Sequence, residues 1–341
     1  MQISIFQSNQ LKSIAILMML FLHLFNQDYK GLFQPIIFIG IQPLSYYISL
    51  FCDCCVPIFA FVSGYGLFYK YQKSKNEYFK SNVIRIRKLY INYWVILFLF
   101  VVLLGSFLSK TGYPGNIKIF VLNFTAIKVT YNGAWWFLTT YLFFVISSSF
   151  WFSLLIKLNR YFYFIVLFLL YCIGFYFRIY KSDLFSTEIL HWILSQSALY
   201  FCTLFQFMLG AFALHCNVHC KISNYLHGLP IKNYLLFFCI IILIIIHGLV
   251  PNLFIAPFTG ILFVLIYCQL DLNNFIIKAI NFFTPHATNM WLMHMFFYLI
   301  YFKRFIYGFK YVSLIYLVLL TLCIISSFVV NYFINKLKTT S

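Results

Sequence analysis

KSIAILMMLFLH, residues 12–23, decides how the rest of the chain is read. An unbroken run of apolar and small residues separates one lysine from one histidine. On a helix that offset is about three full turns at roughly 100° per residue, so Lys12 and His23 fall on one face. The rise between them is about 16 Å, which places the histidine near the bilayer midplane when the lysine sits at the membrane surface. An ionisable group at that depth is costly unless it has a partner or a task.

The remaining sequence has the composition that such a helix requires of its neighbours. Of 341 residues, 63% are hydrophobic and 9% charged, with 45 Phe and 27 Tyr, far outside the range of a soluble globular domain. The fold class is all-α, a polytopic membrane protein, because a run such as LFFCIIILIIIHGLV can satisfy its backbone groups in lipid only as a helix. A β-barrel would show short alternating segments instead. Spans are predicted at Leu11–Phe25, Pro43–Phe68, Leu89–Leu108, Ala134–Ile156, Tyr161–Phe177, Ile193–Leu214, Tyr234–Val250, Leu253–Cys268, Ile280–Phe302 and Val312–Ile334, about ten in all. The loop Lys70–Lys88 carries Lys70, Lys73, Lys75, Lys80, Arg85, Arg87 and Lys88 against the single acid Glu77, which predicts a cytoplasmic loop. Even span parity then puts both termini in the cytoplasm. With no repeat, linker or long polar insertion, residues 1–341 read as one membrane domain without a separate soluble domain. The first apolar segment lacks a basic n-region and a small-residue cleavage site and reads as retained.

The formal net charge of +18 is spread over short loops, so orientation and anionic headgroups account for it and nucleic acid is not an expected partner. Ten cysteines lie mostly in apolar segments, where a thiol behaves as a small hydrophobe, and form no disulfide framework.

A few polar groups stand out against this background. His23 reads either as an imidazole hydrogen-bonded to a neighbouring helix or as a base that takes a proton from an acceptor hydroxyl. Asp53, within FCDCCVPIFAFVSGYGLFY, is either paired or beside a water-filled vestibule, and it is one possible partner to orient His23. His294, deep in NMWLMHMFFYLIY, lies at a level that could face His23 across the bundle. Arg85, Arg87 and Lys88 before the third span read either as topology anchors or, with Lys12, as a clamp on a polyphosphate such as coenzyme A, because arginine forks engage phosphate oxygens in pairs. No metal is expected. His215, Cys216, His219 and Cys220 in HCNVHC match no common zinc spacing, and no phosphate-binding glycine loop, G-x-S-x-G elbow or HExxH occurs.

Taken together, these stretches resemble the acyltransferase family 3 membrane proteins, bacterial enzymes that O-acylate cell-surface glycans. Lys12 to His23 resembles the basic-x10-His signature that opens the family, and VPIFAFVSGYGL its second-helix V-P-x-F-F-x-x-S-G segment. Arg85-Ile86-Arg87 resembles the R-x-R before helix three, Trp136-Phe137-Leu138 the W-F-L, Phe207-Met208-Leu209-Gly210 the F-x-x-G, and Trp291-Leu292-Met293-His294-Met295 the Y-L-x-H-M. The resemblance implies a cytoplasmic acyl-CoA donor, often acetyl-CoA, contacted by Lys12, Arg85 and Arg87. His23 would carry the essential imidazole; Asp53 or His294 beside it are candidate catalytic residues by their place in the sequence, not by the resemblance. The family usually has arginine where this chain has Lys12, which keeps the charge and loses the bidentate fork.

The resulting expectation is an integral-membrane O-acyltransferase of the bacterial cytoplasmic membrane, in the first instance an O-acetyltransferase, whose acceptor is a cell-surface polysaccharide or a lipid-linked precursor. Rival readings are a glycan polymerase, a lipid-linked oligosaccharide flippase or a non-catalytic sensor. The scarcity of buried charges counts against a flippase, and the modest length of the one outer loop, Ser109–Gly133, counts against a polymerase.

Overall fold

The computed structural model describes residues 2–339. Its first helix, α1 (Ile5–Phe25), is set by a capping box: Ser4 Oγ accepts from the Gln7 N–H at 3.1 Å while Gln7 Oε1 accepts from the Ser4 N–H at 3.1 Å. Past Asn26 the chain forms a two-residue hairpin pair, Phe38–Ile39 against Gln42–Pro43, before the second helix. That helix, α2 (Leu44–Lys73), tightens into a 3₁₀ turn at Cys52–Cys54. Pro57 supplies the physical reason, since its missing N–H frees the Asp53 carbonyl four residues earlier. Asp53 sits in this turn and lines an interior cavity.

The basic stretch expected as a cytoplasmic loop is mostly helical. Lys70 and Lys73 finish α2, a short connection follows, and α3 (Tyr78–Phe107) already contains Lys80, Arg85, Arg87 and Lys88. Hydropathy marks only the apolar part of a helix, and these helices continue into basic sequence. A π-helical segment, Leu97–Leu103, interrupts α3 further along. The connection after α3 folds a short helix, α4 (Ile117–Phe124), tied back by Asn123, whose Oδ1 accepts from the N–H groups of Thr130 at 2.8 Å and Tyr131 at 3.2 Å.

Four apolar helices follow: α5 (Gly133–Lys157), α6 (Arg160–Ile179), α7 (Glu188–His215) and, after the short α8 (Val218–Leu226), α9 (Lys232–Leu249). Then come α10 (Leu253–Tyr267), α11 (Asn274–Phe282), α12 (Ala287–Met295), α13 (Lys303–Gly308) and α14 (Val312–Thr339). Among the described residues, 8 helices are long and apolar enough to cross a membrane. The span expected at Leu253–Cys268 is a shorter apolar helix. The one expected at Ile280–Phe302 is broken between α11 and α12, where Pro285 cannot continue a helix, and α12 runs on as a π-helical turn, Phe296–Tyr301.

Within the bundle α2 and α7 pack backbone to backbone. A Cβ placed on Gly64 would lie 1.7 Å from the Phe207 carbonyl oxygen, and one on Gly210 2.0 Å from that of Phe61. Such close approach is how small residues let membrane helices associate. It fixes the position of Asp53 on α2 relative to the polar side chains of α7.

Candidate active site

The site is assembled around two histidines from opposite ends of the sequence. His23 on α1 and His294 on α12 lie with rings stacked 6° from parallel, and His23 Nδ1 is 2.7 Å from His294 Nε2. His294 is fully buried, and its Nδ1 lies 2.9 Å from the Trp291 carbonyl oxygen and 3.1 Å from that of Met290. Carbonyl oxygens only accept, so the network assigns the proton of neutral His294 to Nδ1 and leaves Nε2 as an acceptor. His23 Nδ1–H must then donate to it. His23 Nε2 is left with an unprotonated lone pair, which is what a general base requires.

The helix that carries His294 is held on both sides. Trp135 Nε1 and Asn132 Nδ2 donate to the Leu292 carbonyl at 2.7 and 3.1 Å, while Trp291 Nε1 donates to the Ala134 carbonyl at 3.0 Å. On its other flank Asn289 accepts from Asn92 at 2.7 Å and donates to Ser327 and Asn331 at 2.9 and 2.8 Å. With so many fixed partners, α12 cannot rotate His294 away from His23 without breaking buried hydrogen bonds.

His23 opens on a cavity of about 280 Å³ that is also lined by Asp53, Trp136, Arg178, Thr203 and Gln206. The Arg178 guanidinium lies over the Trp136 ring, 5.4 Å from its centroid. Gln206 is 4% exposed, and its Oε1 has no hydrogen-bond partner. Asp53 shares this cavity, but the atom that orients the His23 imidazole belongs to His294. Arg178 and Gln206 escaped the sequence reading. Arg178 ends an apolar helix, where a cation carries no distinctive pattern, whereas Gln206, a lone amide in LFQFMLG, is a visible signal.

A second cavity of about 310 Å³ lies toward the other end of α1, lined by Ser8, Lys12, Ser63, Arg85, Lys88 and Asn92 among others. Among the described residues three cations line it and no carboxylate does, and Arg85 Nε is buried without a partner. Such a concentration of unopposed positive charge suits a polyanion. Arg87 is exposed and is not among the lining residues, so the cavity takes Lys88 in its place. Met19, Phe137 and Trp291 line both cavities.

A family model described as an acyltransferase domain matches residues 6–335, essentially the whole chain. The chain belongs to the acyltransferase 3 family. It is therefore a membrane acyltransferase. No curated protein and no solved structure matches it. Membership sets aside the polymerase and flippase readings. It also explains why the acyltransferase's signature pieces touch: Gly64 of the VPIFAFVSG segment meets Phe207 of the F-x-x-G, and Gly210 of the latter meets Phe61 of the former. Phe137 of the W-F-L packs edge-on against Trp291 at 5.8 Å.

Proposed function

We propose that this acyltransferase carries an acyl group, in the first instance acetyl, from cytoplasmic acyl-CoA to a hydroxyl of a cell-surface polysaccharide or its lipid-linked precursor, in a bacterial cytoplasmic membrane. One observation carries the reading: a single face of α1 lines a basic cavity at Lys12 and a histidine cavity at His23, and the two cavities adjoin at Met19. The excess of basic residues at the Lys12 end favours the cytoplasmic side for it.

In this reading Lys12, Arg85 and Lys88 hold the phosphates of the donor. The rise along α1 is about 10 Å from Lys12 to Met19 and about 6 Å more to His23, a path suited to the slender arm of coenzyme A. The acceptor sugar enters the other cavity, where the Trp136 face and the polar atoms of Asp53, Arg178 and Gln206 can orient its ring and hydroxyls. His23 Nε2 takes the hydroxyl proton as the oxygen attacks the thioester carbonyl. The C–S bond then breaks, and the departing thiolate takes the proton back from the imidazolium.

Cells that produce the protein are expected to show O-acyl groups on the surface glycan by NMR that are missing when the gene is deleted. Identical spectra would overturn the proposal. For the donor side, replacement of Arg85 by glutamine is expected to raise the KM for acetyl-CoA about 10- to 100-fold, the loss of one charge-assisted phosphate contact, with a smaller effect on kcat. Initial-rate measurements on inverted membrane vesicles, which expose the cytoplasmic face, check this directly.

A further inference from the structure

Among the described residues, three side chains border both cavities. Met19, Phe137 and Trp291 are the residues common to both linings, and they are 4%, 6% and 7% exposed. Phe137 and Trp291 meet edge-on at 70°, and Trp136 braces Phe137 from behind at 5.6 Å. The Trp291 N–H is already committed to the Ala134 carbonyl at 3.0 Å. Two of the shared side chains are thus rigid aromatics, and the third, Met19, is a flexible thioether. None of the three offers a free hydrogen-bond donor to whatever passes.

We infer that Met19, Phe137 and Trp291 form an apolar septum that selects the acyl group, passing small uncharged acyl chains to His23 and rejecting acyl groups that carry a carboxylate. The inference rests on the acyl-CoA reading above and adds the chemistry of the group transferred. The acyl end is the leading end of the donor as it moves from the basic cavity toward His23. An acetyl or propionyl group presents only methyl and methylene surface to the septum. A succinyl group presents a charge that must be stripped of water with no partner to receive it, which is among the costliest steps available in an apolar constriction. Arg178 could pair with that carboxylate only on the far side, once the septum has been passed.

The test uses full-length protein in inverted membrane vesicles supplied with acetyl-, propionyl- or succinyl-CoA and followed by release of the coenzyme thiol. Wild-type protein is expected to use propionyl-CoA within about 10-fold of acetyl-CoA. Succinyl-CoA is expected to compete as an inhibitor through its phosphates yet turn over at least about 100-fold more slowly. Met19→Ser, which both widens the septum and supplies a hydroxyl, is expected to raise the succinyl-to-acetyl ratio about 10-fold or more, while Met19→Leu keeps the wild-type ratio. Equal turnover of succinyl- and acetyl-CoA by wild type, or a ratio unmoved in correctly inserted Met19→Ser protein that still turns over acetyl-CoA, overturns the septum and leaves the acyltransferase proposal intact. Failure to bind or turn over any acyl-CoA overturns both.

Discussion

Replacement of His23 by alanine is expected to lower acyl transfer by about 10²- to 10⁴-fold, the usual contribution of a positioned general base, with acyl-CoA binding retained. On the proposed reading the basic cavity holds the donor and His23 acts as base beyond Met19, so a loss confined to kcat is the signature of a role in the chemical step. His294→Ala should cost less, about 10- to 100-fold, because the imidazole of His23 survives but its Nδ1–H loses the acceptor that fixes the tautomer. The double substitution is expected to be no worse than His23→Ala alone, since His294 acts through His23 at 2.7 Å. NMR of O-acyl groups on the surface glycan, with membrane insertion checked by immunoblot, reads all three variants. Unchanged acylation in inserted His23→Ala protein would sink the general-base assignment, and multiplicative losses in the double variant would sink the relay.

How far this arrangement could be read from the sequence depended on whether the signal was local. Lys12, Met19 and His23 share a face because helical periodicity alone puts them there, and both cavities are lined along that face. His294 was recognisable as a deep histidine level with His23. That its Nε2 would meet His23 Nδ1 depends on α12 being pinned by Trp135, Asn132 and Asn289, which no pattern within one segment reveals. Asp53 was one possible partner for His23, and it lines the same cavity together with Arg178, but the hydrogen bond of the imidazole is to His294. Arg178 itself was hidden by its place at a helix end, where a cation normally reads as an interfacial anchor. The basic stretch Lys70–Lys88 was legible as a charge cluster but not as helix, since hydropathy reports contact with lipid rather than backbone conformation. Likewise the spans after Val250 follow apolar runs, whereas their lengths are set by Pro285 and by packing.

Gly64→Ala and Gly210→Ala are each expected to prevent assembly of the bundle, although both replacements would normally favour a helix by about 1 kcal/mol. The geometry leaves no room for the usual benefit. The Gly64 Cβ would stand 1.7 Å from the Phe207 oxygen and 2.7 Å from the Phe207 carbonyl carbon, and the Gly210 Cβ 2.0 Å from the Phe61 oxygen and 2.8 Å from the Tyr65 nitrogen. All four obstacles are backbone atoms, so no side-chain rotation relieves them, and α2 and α7 must separate by at least about an ångström. Separation moves the wall that bears Asp53 and Pro57 away from the wall that bears Thr203 and Gln206, and these together line the histidine cavity. A polar cavity opened to lipid in this way loses its enclosed hydrogen bonds along with the interhelical packing, and overpacking of this kind alone costs about 1–3 kcal/mol. Size-exclusion chromatography in detergent is expected to show aggregated or proteolysed Gly64→Ala and Gly210→Ala protein. Gly308→Ala, whose added Cβ meets nothing within 4 Å, is the matched control and should elute as a single species. If either crossing variant elutes like that control, α2 and α7 do not need the backbone contact, and the histidine cavity must be held by the clamps on α12 alone.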